Sequence, residues 1–502
     1  MWSNQSFRLA LGQSVSGLSS RFAVMALCAV GASCTGDDDA SQDTPAETVT
    51  WNADIEPLVA NKCGGCHTEG GIAPFSMDSY KSAKPFASAM ASAVESGTMP
   101  PFLAQETESC QPRLPWANDL RLSGDEKKLL RAWADAKAPE GKSKAAGKVE
   151  SSLSGELERE DVAAVMPNEV KVAGTKDIHT CAIIDPGLTE DAFVVGRMIT
   201  AGNSAVLHHV VSYIIQPGKN PDGSDRDKEQ LRAALREAKG VDVGGRYDCF
   251  GGPALPEGIQ VEMLDAWAPG GIPNLAPPDS GQPIDKDSLV LLDLHYHPTG
   301  GPEEIDDGTK LSLMLSEEKP AWVSKTILLG NFDEHDDSNM YGTADIVQQP
   351  DEAEPEFLIP AGESRHIEEG TWTWKLAPSL SLMVYGAGTH MHYVGRDMRV
   401  TLEHPARDGA EASDECLIET PRWDFNWQRG YMYAADSRDE LPTFRDGDVL
   451  RLHCEFDNTL DNPNVAQALA ARGLDEPVDV KLGEDTLDEM CLVGVGIMYP
   501  NM

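Results

Sequence analysis

Two cysteines and a histidine near the N-terminus form the motif that points to one chemistry most specifically. The run Cys63-Gly-Gly-Cys66-His67 has the C-x-x-C-H spacing of covalent c-type haem attachment. There the two thiols bond to the haem vinyl groups, and the histidine becomes the proximal iron ligand. A redox dithiol or half of a zinc site is the alternative reading, but the sequence holds no second C-x-x-C. The motif therefore predicts one haem c per chain.

A methionine in a proline-stiffened loop is the best candidate for the sixth iron ligand. Met99 lies in the run Thr98-Met-Pro-Pro, 32 residues after His67, and a thioether ligand raises the haem potential into an electron-transfer range. A buried hydrophobic role is the alternative for this residue. Helical patterns flank the motif, and residues 51–142 as a whole resemble a class I cytochrome c domain, which implies a small all-α fold.

Histidine pairs form a second group of candidate ligands in the remaining two thirds of the chain. His390 and His392 are two residues apart in a β-type run, so both can project from one face and converge on one metal. Adjacent His208 and His209 point to opposite faces of an ideal strand. Joint ligation there requires a local twist or the use of different ring nitrogens, and the pattern alone leaves metal ligands and packed core histidines equally open.

Short β-type runs alternate with Gly, Pro and Asp turns from Val170 onward, which predicts antiparallel β-sandwiches. The length accommodates two of them, at residues 168–325 and 326–502. Residues 143–167 are rich in Lys, Ser, Glu and Ala and are predicted to be a linker. The predicted strands are 192–195, 206–215, 289–297, 311–315, 380–386, 398–403, 449–456 and 491–499.

Five motifs in this region, in the same order, resemble the copper type II, ascorbate-dependent monooxygenases, the family of dopamine β-hydroxylase and peptidylglycine α-hydroxylating monooxygenase. The resemblance implies two all-β, jelly-roll-like sandwiches, each holding one copper at a solvent-filled cleft. The motifs are Leu207-His-His-Val-Val, Leu294-His-Tyr-His-Pro, Thr389-His-Met-His-Tyr-Val-Gly-Arg, Gly447-Asp-Val-Leu-Arg-Leu-His-Cys-Glu-Phe and Asp488-Glu-Met-Cys.

The same resemblance assigns two copper ions per chain to six ligands. It implies that an electron-transfer copper binds to His208, His209 and His295, and that a catalytic, oxygen-binding copper binds to His390, His392 and Met490. Imidazole suits both copper oxidation states, whereas the soft thioether favours Cu(I). An ordinary core methionine is the alternative for Met490. The resemblance also implies a Cys454–Cys491 disulfide and an orienting role for His297.

The sequence departs from the peptidylglycine enzyme at the positions that hold the carboxylate of its substrate. Gly388, Leu492 and Gly494 stand where that enzyme has Arg, Asn and Tyr. This favours a small, less charged organic substrate. The expected activity is monooxygenation with O2, with the fused haem passing electrons from a periplasmic donor to the copper centres. A haem and copper protein for electron transfer or copper handling, without hydroxylation, is the alternative function.

Charge and composition limit the range of partners. Eighty-two Asp and Glu against 41 Lys and Arg give a net charge of -41, which disfavours nucleic acid and anionic lipid surfaces. Hydrophobic residues make up 41% of the chain and the mean hydropathy is -0.34. These values exclude a polytopic membrane protein and a wholly disordered chain.

The N-terminus resembles a bacterial lipoprotein signal. Arg21 precedes an apolar run that ends at Cys34, and an acidic tether follows at residues 35–50. We therefore predict a signal peptide at residues 1–34, lipidation of Cys34, and a lipid-anchored protein on the periplasmic or extracellular face of the membrane. Gly31 stands where such signals usually have Leu, so plain secretion is the alternative.

An exported chain can form disulfides, because its compartment is oxidising. Besides the pair implied by the resemblance, four cysteines allow three pairings. Among these the Cys181–Cys249 pairing is favoured. The four are Cys110, Cys181, Cys249 and Cys416.

Overall fold

The computed structural model describes residues 48–502 with gaps. The gaps are residues 70, 72, 143–155, 175, 221, 250–251, 254, 256–258, 299, 331–343, 349–356, 378, 408, 484–486 and 502. The predicted signal peptide, Cys34 and most of the tether lie outside the described residues. In the described part of the chain, no helix is long and apolar enough to cross a membrane.

A helical segment at residues 51–135 opens the described chain. The β-structure that follows it contains two further helices. Helix α4 begins with a reciprocal capping box between Ser123 and Glu126, and Trp51 packs against Trp133 in the core of the segment. The predicted helical patterns on both sides of the haem motif are thus present as helices. The α-helices are α1 (Glu56–Lys62), α2 (Tyr80–Ala83), α3 (Ala87–Ser96), α4 (Gly124–Asp135), α5 (Lys228–Lys239) and α6 (Pro463–Arg472).

The strands of the first sandwich surround a buried core. They are β1 (Val162–Val165), β2 (Val170–Val172), β3 (Ile178–Ile184), β4 (Ala192–Thr200), β5 (Leu207–Gln216), β6 (Arg246–Asp248), β7 (Gln260–Trp267), β8 (Asn274–Leu275), β9 (Ser280–Ile284), β10 (Leu289–Tyr296), β11 (Glu304–Asp306) and β12 (Lys310–Ser316). One sheet has the order β6-β3-β10-β5-β7. Its apolar side chains pack against those of β1, β12, β4 and β9, which belong to the other sheet.

The strands of the second sandwich follow. They are β13 (Trp322–Gly330), β14 (Ala344–Gln348), β15 (Leu358–Ile359), β16 (His366–Trp374), β17 (Leu382–His390), β18 (Gly395–His404), β19 (Ser413–Thr420), β20 (Tyr431–Met432), β21 (Thr443–Phe444), β22 (Val449–Phe456), β23 (Val480–Lys481) and β24 (Leu492–Pro500). The sheet β14-β16-β22-β18-β19 packs on β13, β24 and β17. Each of the eight runs predicted to be β-type coincides with a strand.

One sheet runs continuously through both sandwiches. Its order is β1-β12-β4-β9-β13-β24-β17-β20, and the join is a parallel pairing in which Trp322 lies opposite Ser280. The boundary predicted between residues 325 and 326 therefore falls inside β13. A shared sheet holds the two halves in a defined relation, because its backbone hydrogen bonds cross from one to the other.

The first sandwich begins earlier than the sequence predicted. Strand β1 starts at Val162, inside the segment predicted to be a linker, and pairs with β12. Its alternate residues Val162 and Ala164 are buried, but a strand of four residues is too short to give a clear period in the sequence. Helices α5 and α6 were not predicted either.

The helical segment is joined covalently to the second sandwich. A disulfide connects Cys110 to Cys416 on β19. Beside it Arg113 pairs with Glu415 at 2.6 Å, and Trp116 stacks on Tyr433 with ring centroids 5.0 Å apart. The other disulfides are Cys181–Cys249 and Cys454–Cys491, so both pairings that the sequence favoured are confirmed.

Candidate metal centres

A β-bulge brings adjacent histidines to the same side of β5. His295 on β10 lies opposite His209, but the next residue, Tyr296, lies opposite Leu207, so His208 is the extra residue of the bulge. Ring nitrogens of His208, His209 and His295 all lie within 4.8 Å of one another. The local distortion that joint ligation requires is therefore present. We call these three residues the histidine cluster.

Two members of the histidine cluster, His208 and His209, have lowered pKa values and unused nitrogen atoms. Burial, reinforced by neighbouring histidines, lowers the pKa of His208 to about 3 and that of His209 well below its usual value. Nδ1 of His208 and Nε2 of His209 are buried and have no hydrogen-bond partner among the described residues. Unpartnered buried polar atoms are rare in native proteins, and neutral imidazole is a metal ligand. The donor set therefore fits a bound metal ion.

An aspartate orients the third histidine of this cluster. Asp177 accepts hydrogen bonds from His295 Nε2 at 3.0 Å and from His297 Nδ1 at 2.8 Å. Burial opposes ionisation of Asp177, but these two hydrogen bonds prevail and lower its pKa. The bond to Asp177 directs Nδ1 of His295 towards His209, at 3.5 Å from its Nδ1. Carboxylates commonly orient ligating histidines in this way.

His179 is a neighbour of the histidine cluster that was not among the predicted ligands. It lies opposite His295 in the β3–β10 pairing, and the two rings stack with centroids 4.2 Å apart. Asp177, His179 and His295 also form a group with metal-ligand spacing. Nothing but the sheet register reveals this contact, because His179 and His295 are far apart in the sequence.

Two histidines and a methionine gather where β17 ends and β24 begins. The rings of His390 and His392 are perpendicular, with centroids 5.2 Å apart. Met490 comes two residues before Leu492, which lies opposite His390 in the β17–β24 pairing. We call His390, His392 and Met490 the His-Met cluster.

Hydrogen bonds fix both rings of the His-Met cluster through the same nitrogen. Nδ1 of His390 is 2.6 Å from Gln428 Oε1, and Nδ1 of His392 is 3.0 Å from the carbonyl oxygen of Asp488. Burial lowers the pKa of His390, against the hydrogen bond to Gln428. Both rings therefore donate through Nδ1, which is the arrangement typical of imidazoles that bind a metal through Nε2.

A buried carboxylate joins the two segments that carry the His-Met cluster. Glu489 is fully buried and accepts hydrogen bonds from the backbone N–H groups of His392, Val394 and Met490. Burial raises its pKa to about 8, and the hydrogen bonds oppose that rise. Glu489 lies inside the motif Asp488-Glu-Met-Cys, but its hydrogen bonds to the backbone near His392 were not predicted from the sequence.

One short turn contacts both clusters. The 3-10 turn Phe425–Trp427 places the Phe425 ring 5.7 Å from His209 and 5.9 Å from His392, measured between centroids. The side chain of Asn426 opposes the lowering of the pKa of His208, and Gln428 follows directly with its hydrogen bond to His390. The sequence interpretation did not single out this turn, since no metal-ligand residue occurs in it.

A single cavity of about 450 Å³ is lined by residues of both clusters. Its walls are mainly apolar, with glycines on neighbouring strands of the shared sheet. Gly388, Leu492 and Gly494, the positions at which the sequence departs from the peptidylglycine enzyme, all line it. The cluster residues and the glycines of β17 and β24 that line the cavity are His209, His295, His390, His392, Met490, Gly386, Gly388, Gly494 and Gly496.

The cysteines of the C-x-x-C-H motif are free thiols. Burial, and after it the nearby Cys66, raises the pKa of Cys63 to about 12. The charge of Lys62 opposes this rise. His67 is 8% exposed and its Nδ1 lies 2.9 Å from the carbonyl oxygen of Phe75. Reduced thiols beside a histidine held through Nδ1 fit covalent haem with an Nε2 iron ligand. Met99 packs, partly buried, against the helical core.

The C-x-x-C-H motif contacts the wall of the cavity. Cys66 Sγ lies 3.8 Å from the carbonyl oxygen of Pro269, and a Cβ atom on Gly270 would come within 2.3 Å of that sulfur. Gly270 and Arg429 both line the cavity. Burial raises the pKa of Cys66 and the charge of Arg429 opposes the rise, so Arg429 is also close to the motif.

Comparisons with known proteins do not place the chain in a family. No family model matches it, and no curated protein matches it. Solved structures that align include infectious bursal disease virus, Gx strain, at 9% identity over 70% of this chain and 74% of the other, with a TM-score of 0.14. The VP2 subviral particle of the same virus aligns at 8% identity over 69% and 83%, with a TM-score of 0.11. Scores this low carry no argument about fold or function.

Proposed function

We propose that this protein is an exported copper-dependent monooxygenase that hydroxylates a small organic substrate with O2. The observation that carries the proposal is the single cavity lined by members of both clusters. The histidine cluster comes from one sandwich and the His-Met cluster from the other, and each contains residues suited to copper. Such an arrangement lets two one-electron centres serve one substrate.

The two clusters differ in the way a monooxygenase requires. Three imidazoles at His208, His209 and His295 accommodate both copper oxidation states, so this site suits electron transfer. The thioether of Met490 favours Cu(I), the state that reacts with dioxygen. Bound there, copper would supply the redox chemistry of oxygen activation, and the protein supplies positioning and a sheltered cavity.

The described side chains prepare this site in three ways. Asp177, Gln428 and the carbonyl oxygen of Asp488 hold the imidazole rings in fixed orientations. The Phe425 ring packs near one histidine of each cluster, His209 and His392, and gives both an apolar neighbour. At Gly386 and Gly388 the absence of a side chain lets residues 430–431 pack against the cavity wall, because a Cβ atom would come within 2.5 Å and 3.1 Å of them.

We further propose that haem c on Cys63 and Cys66, with His67 and Met99 as axial ligands, passes electrons to the histidine cluster. The contact between Cys66 and Pro269 supports this, because the haem attachment site adjoins the wall of the cavity. The Cys110–Cys416 disulfide supports it too, since it ties the helical segment to the second sandwich. A periplasmic donor would then reduce the haem, and a lipid anchor at Cys34 would keep the protein at the membrane.

Metal analysis tests the proposed ligands. Protein matured with cytochrome c assembly should contain two coppers and one haem per chain. His390→Ala and Met490→Ala should each lose one copper and keep the other, because the histidine cluster remains intact. His453→Ala, outside the cavity, is the control and should keep both. Haem without copper in the unsubstituted protein would contradict the proposal.

Turnover separates hydroxylation from simple electron transfer. With a substrate found by screening, oxygen uptake should match the hydroxylated product mole for mole. Reversible redox without any product would favour a haem and copper electron-transfer protein instead.

The electron route is tested by following reoxidation of the reduced haem with O2. We expect removal of copper to slow reoxidation strongly, and Gly270→Ala to slow it several-fold, because the new methyl group meets Cys66. Gly300→Ala is a matched control: both glycines have positive φ, but apart from its chain neighbours no described residue lies within 4 Å of the Cβ position at Gly300. Equal rates with and without copper would exclude the route.

A further inference from the structure

The first sandwich contributes a cluster of three polar side chains to the wall of the cavity. It consists of Arg197 on β4, Asp265 on β7 and Asn274 on β8, all of which line the cavity. Arg197 is only 4% exposed, and it lies opposite Asn274 in the β4–β8 pairing. None of these three residues belongs to the proposed metal centres, so the burial of Arg197 beside the cavity requires another explanation.

The hydrogen bonds within this group are incomplete. Arg197 Nε is 3.4 Å from Asp265 Oδ1, and Asn274 Nδ2 donates to the same oxygen at 3.0 Å. Arg197 Nε and Asn274 Oδ1 are nevertheless buried without a hydrogen-bond partner among the described residues. Leaving such groups unsatisfied costs about 1–3 kcal/mol each. A bound molecule with one acceptor and one donor would remove that cost.

The position of the group suits the far end of a substrate. Asp265 lies opposite Ser212 on β5, and Ser212 is three residues from His209. At about 3.3 Å per residue this places it roughly 10 Å along the strand from the histidine cluster. Apolar side chains, among them Val211, Met263 and Leu328, line the same cavity. A substrate with an apolar body could therefore lie with its polar end on this group.

We propose that Arg197 and Asn274 bind the polar end of the substrate, and that this end is a neutral carboxamide. The proposal rests on the monooxygenase function and names its substrate class. The amide carbonyl would accept from Arg197, and the amide N–H would donate to Asn274 Oδ1.

Charge decides against ionised substrates. Arg197 already forms an ion pair with Asp265, although burial raises the pKa of that carboxyl group, so a carboxylate substrate would place a second negative charge beside it, and an amine cation would face the guanidinium. Buried charges without a partner are strongly unfavourable. A neutral amide satisfies both unused atoms without adding charge.

Three nearly isosteric probes test the proposal by equilibrium binding: hexanamide, 2-heptanone and hexanoate. Calorimetry on the full protein without O2 measures affinity without turnover, so binding can be judged even if hydroxylation fails. We expect hexanamide to bind about tenfold more tightly than 2-heptanone, which lacks the donor, because one hydrogen bond contributes about 1.4 kcal/mol. Hexanoate should bind most weakly. Equal affinities, tightest binding of hexanoate, or no binding of hexanamide would overturn the proposal.

Substitutions assign the preference to the named residues. Asn274→Ala should lower the affinity for hexanamide to that for 2-heptanone and leave 2-heptanone unchanged. Arg197→Met should weaken both neutral probes. If Arg197→Met fails to fold, Asn274→Ala alone still decides, and Arg246→Met, outside the cavity, is the control for loss of an arginine. Retention of the full preference for hexanamide in Asn274→Ala would refute the assignment.

Discussion

Glu489→Ala should lower the free energy of unfolding by at least about 3 kcal/mol and abolish copper binding at the His-Met cluster. The carboxylate accepts from three backbone N–H groups, those of His392, Val394 and Met490. Alanine leaves these donors buried and unpaired, at about 1–3 kcal/mol each. Because the same bonds hold two metal ligands in place, stability and metal binding should fall together. Denaturant unfolding and copper analysis measure the two effects.

Two comparisons make this prediction specific. Glu489→Gln keeps the size and one acceptor oxygen of the side chain, so it should lose less stability than Glu489→Ala. In both variants the histidine cluster should still bind its copper, since its residues lie on β5 and β10 of the other sandwich. Full copper content and unchanged stability in Glu489→Ala would show that the buried carboxylate does not organise the site.

Loss of the Cys110–Cys416 disulfide should loosen the helical segment from the second sandwich. The bond closes a sequence separation of 306 residues, and disulfides that close long loops stabilise by about 3–5 kcal/mol. In Cys110→Ser/Cys416→Ser we expect amide hydrogen exchange in α3 and α4 to become roughly a hundred-fold faster, equivalent to about 3 kcal/mol. Mass spectrometry of exchanged peptides measures this locally.

The Cys181–Cys249 disulfide provides the control. It closes a separation of 68 residues and joins β3 to the chain just after β6. Cys181→Ser/Cys249→Ser should therefore accelerate exchange in the first sandwich and leave α3 and α4 as they were. If both double variants change exchange in α3 and α4 equally, the Cys110–Cys416 bond has no particular role in docking the helical segment.

The Cys110–Cys416 disulfide also bears on how the proposed haem would pass electrons to the metal centres at the cavity. A linker between a haem domain and two sandwiches is compatible with a swinging carrier or with a docked one. The disulfide, the ion pair of Arg113 with Glu415 and the contact of Cys66 with Pro269 all favour docking. Electron transfer over a fixed distance is then expected, and the Gly270→Ala test addresses that contact.

Local patterns in the sequence were sufficient to predict eight of the strands, the helices on both sides of the C-x-x-C-H motif and the candidate ligands. Alternation of apolar residues predicts strands because side chains alternate across a sheet, and the eight predicted runs are strands. The C-x-x-C-H motif and the H-x-H run are equally local, since their members lie within one turn or one strand face. Short elements such as β1 escaped prediction because four residues give too little of a period.

Only the tertiary structure decided which residues meet across strands. The bulge that lets His208 and His209 share a face depends on pairing with β10, and His179 reaches His295 only through the sheet register. Glu489, Phe425 and Gln428 act on residues that lie on other strands or in the other sandwich. The sequence pattern therefore names candidate ligands, whereas their orientation and burial, and the cavity they line, depend on long-range packing that no local period encodes.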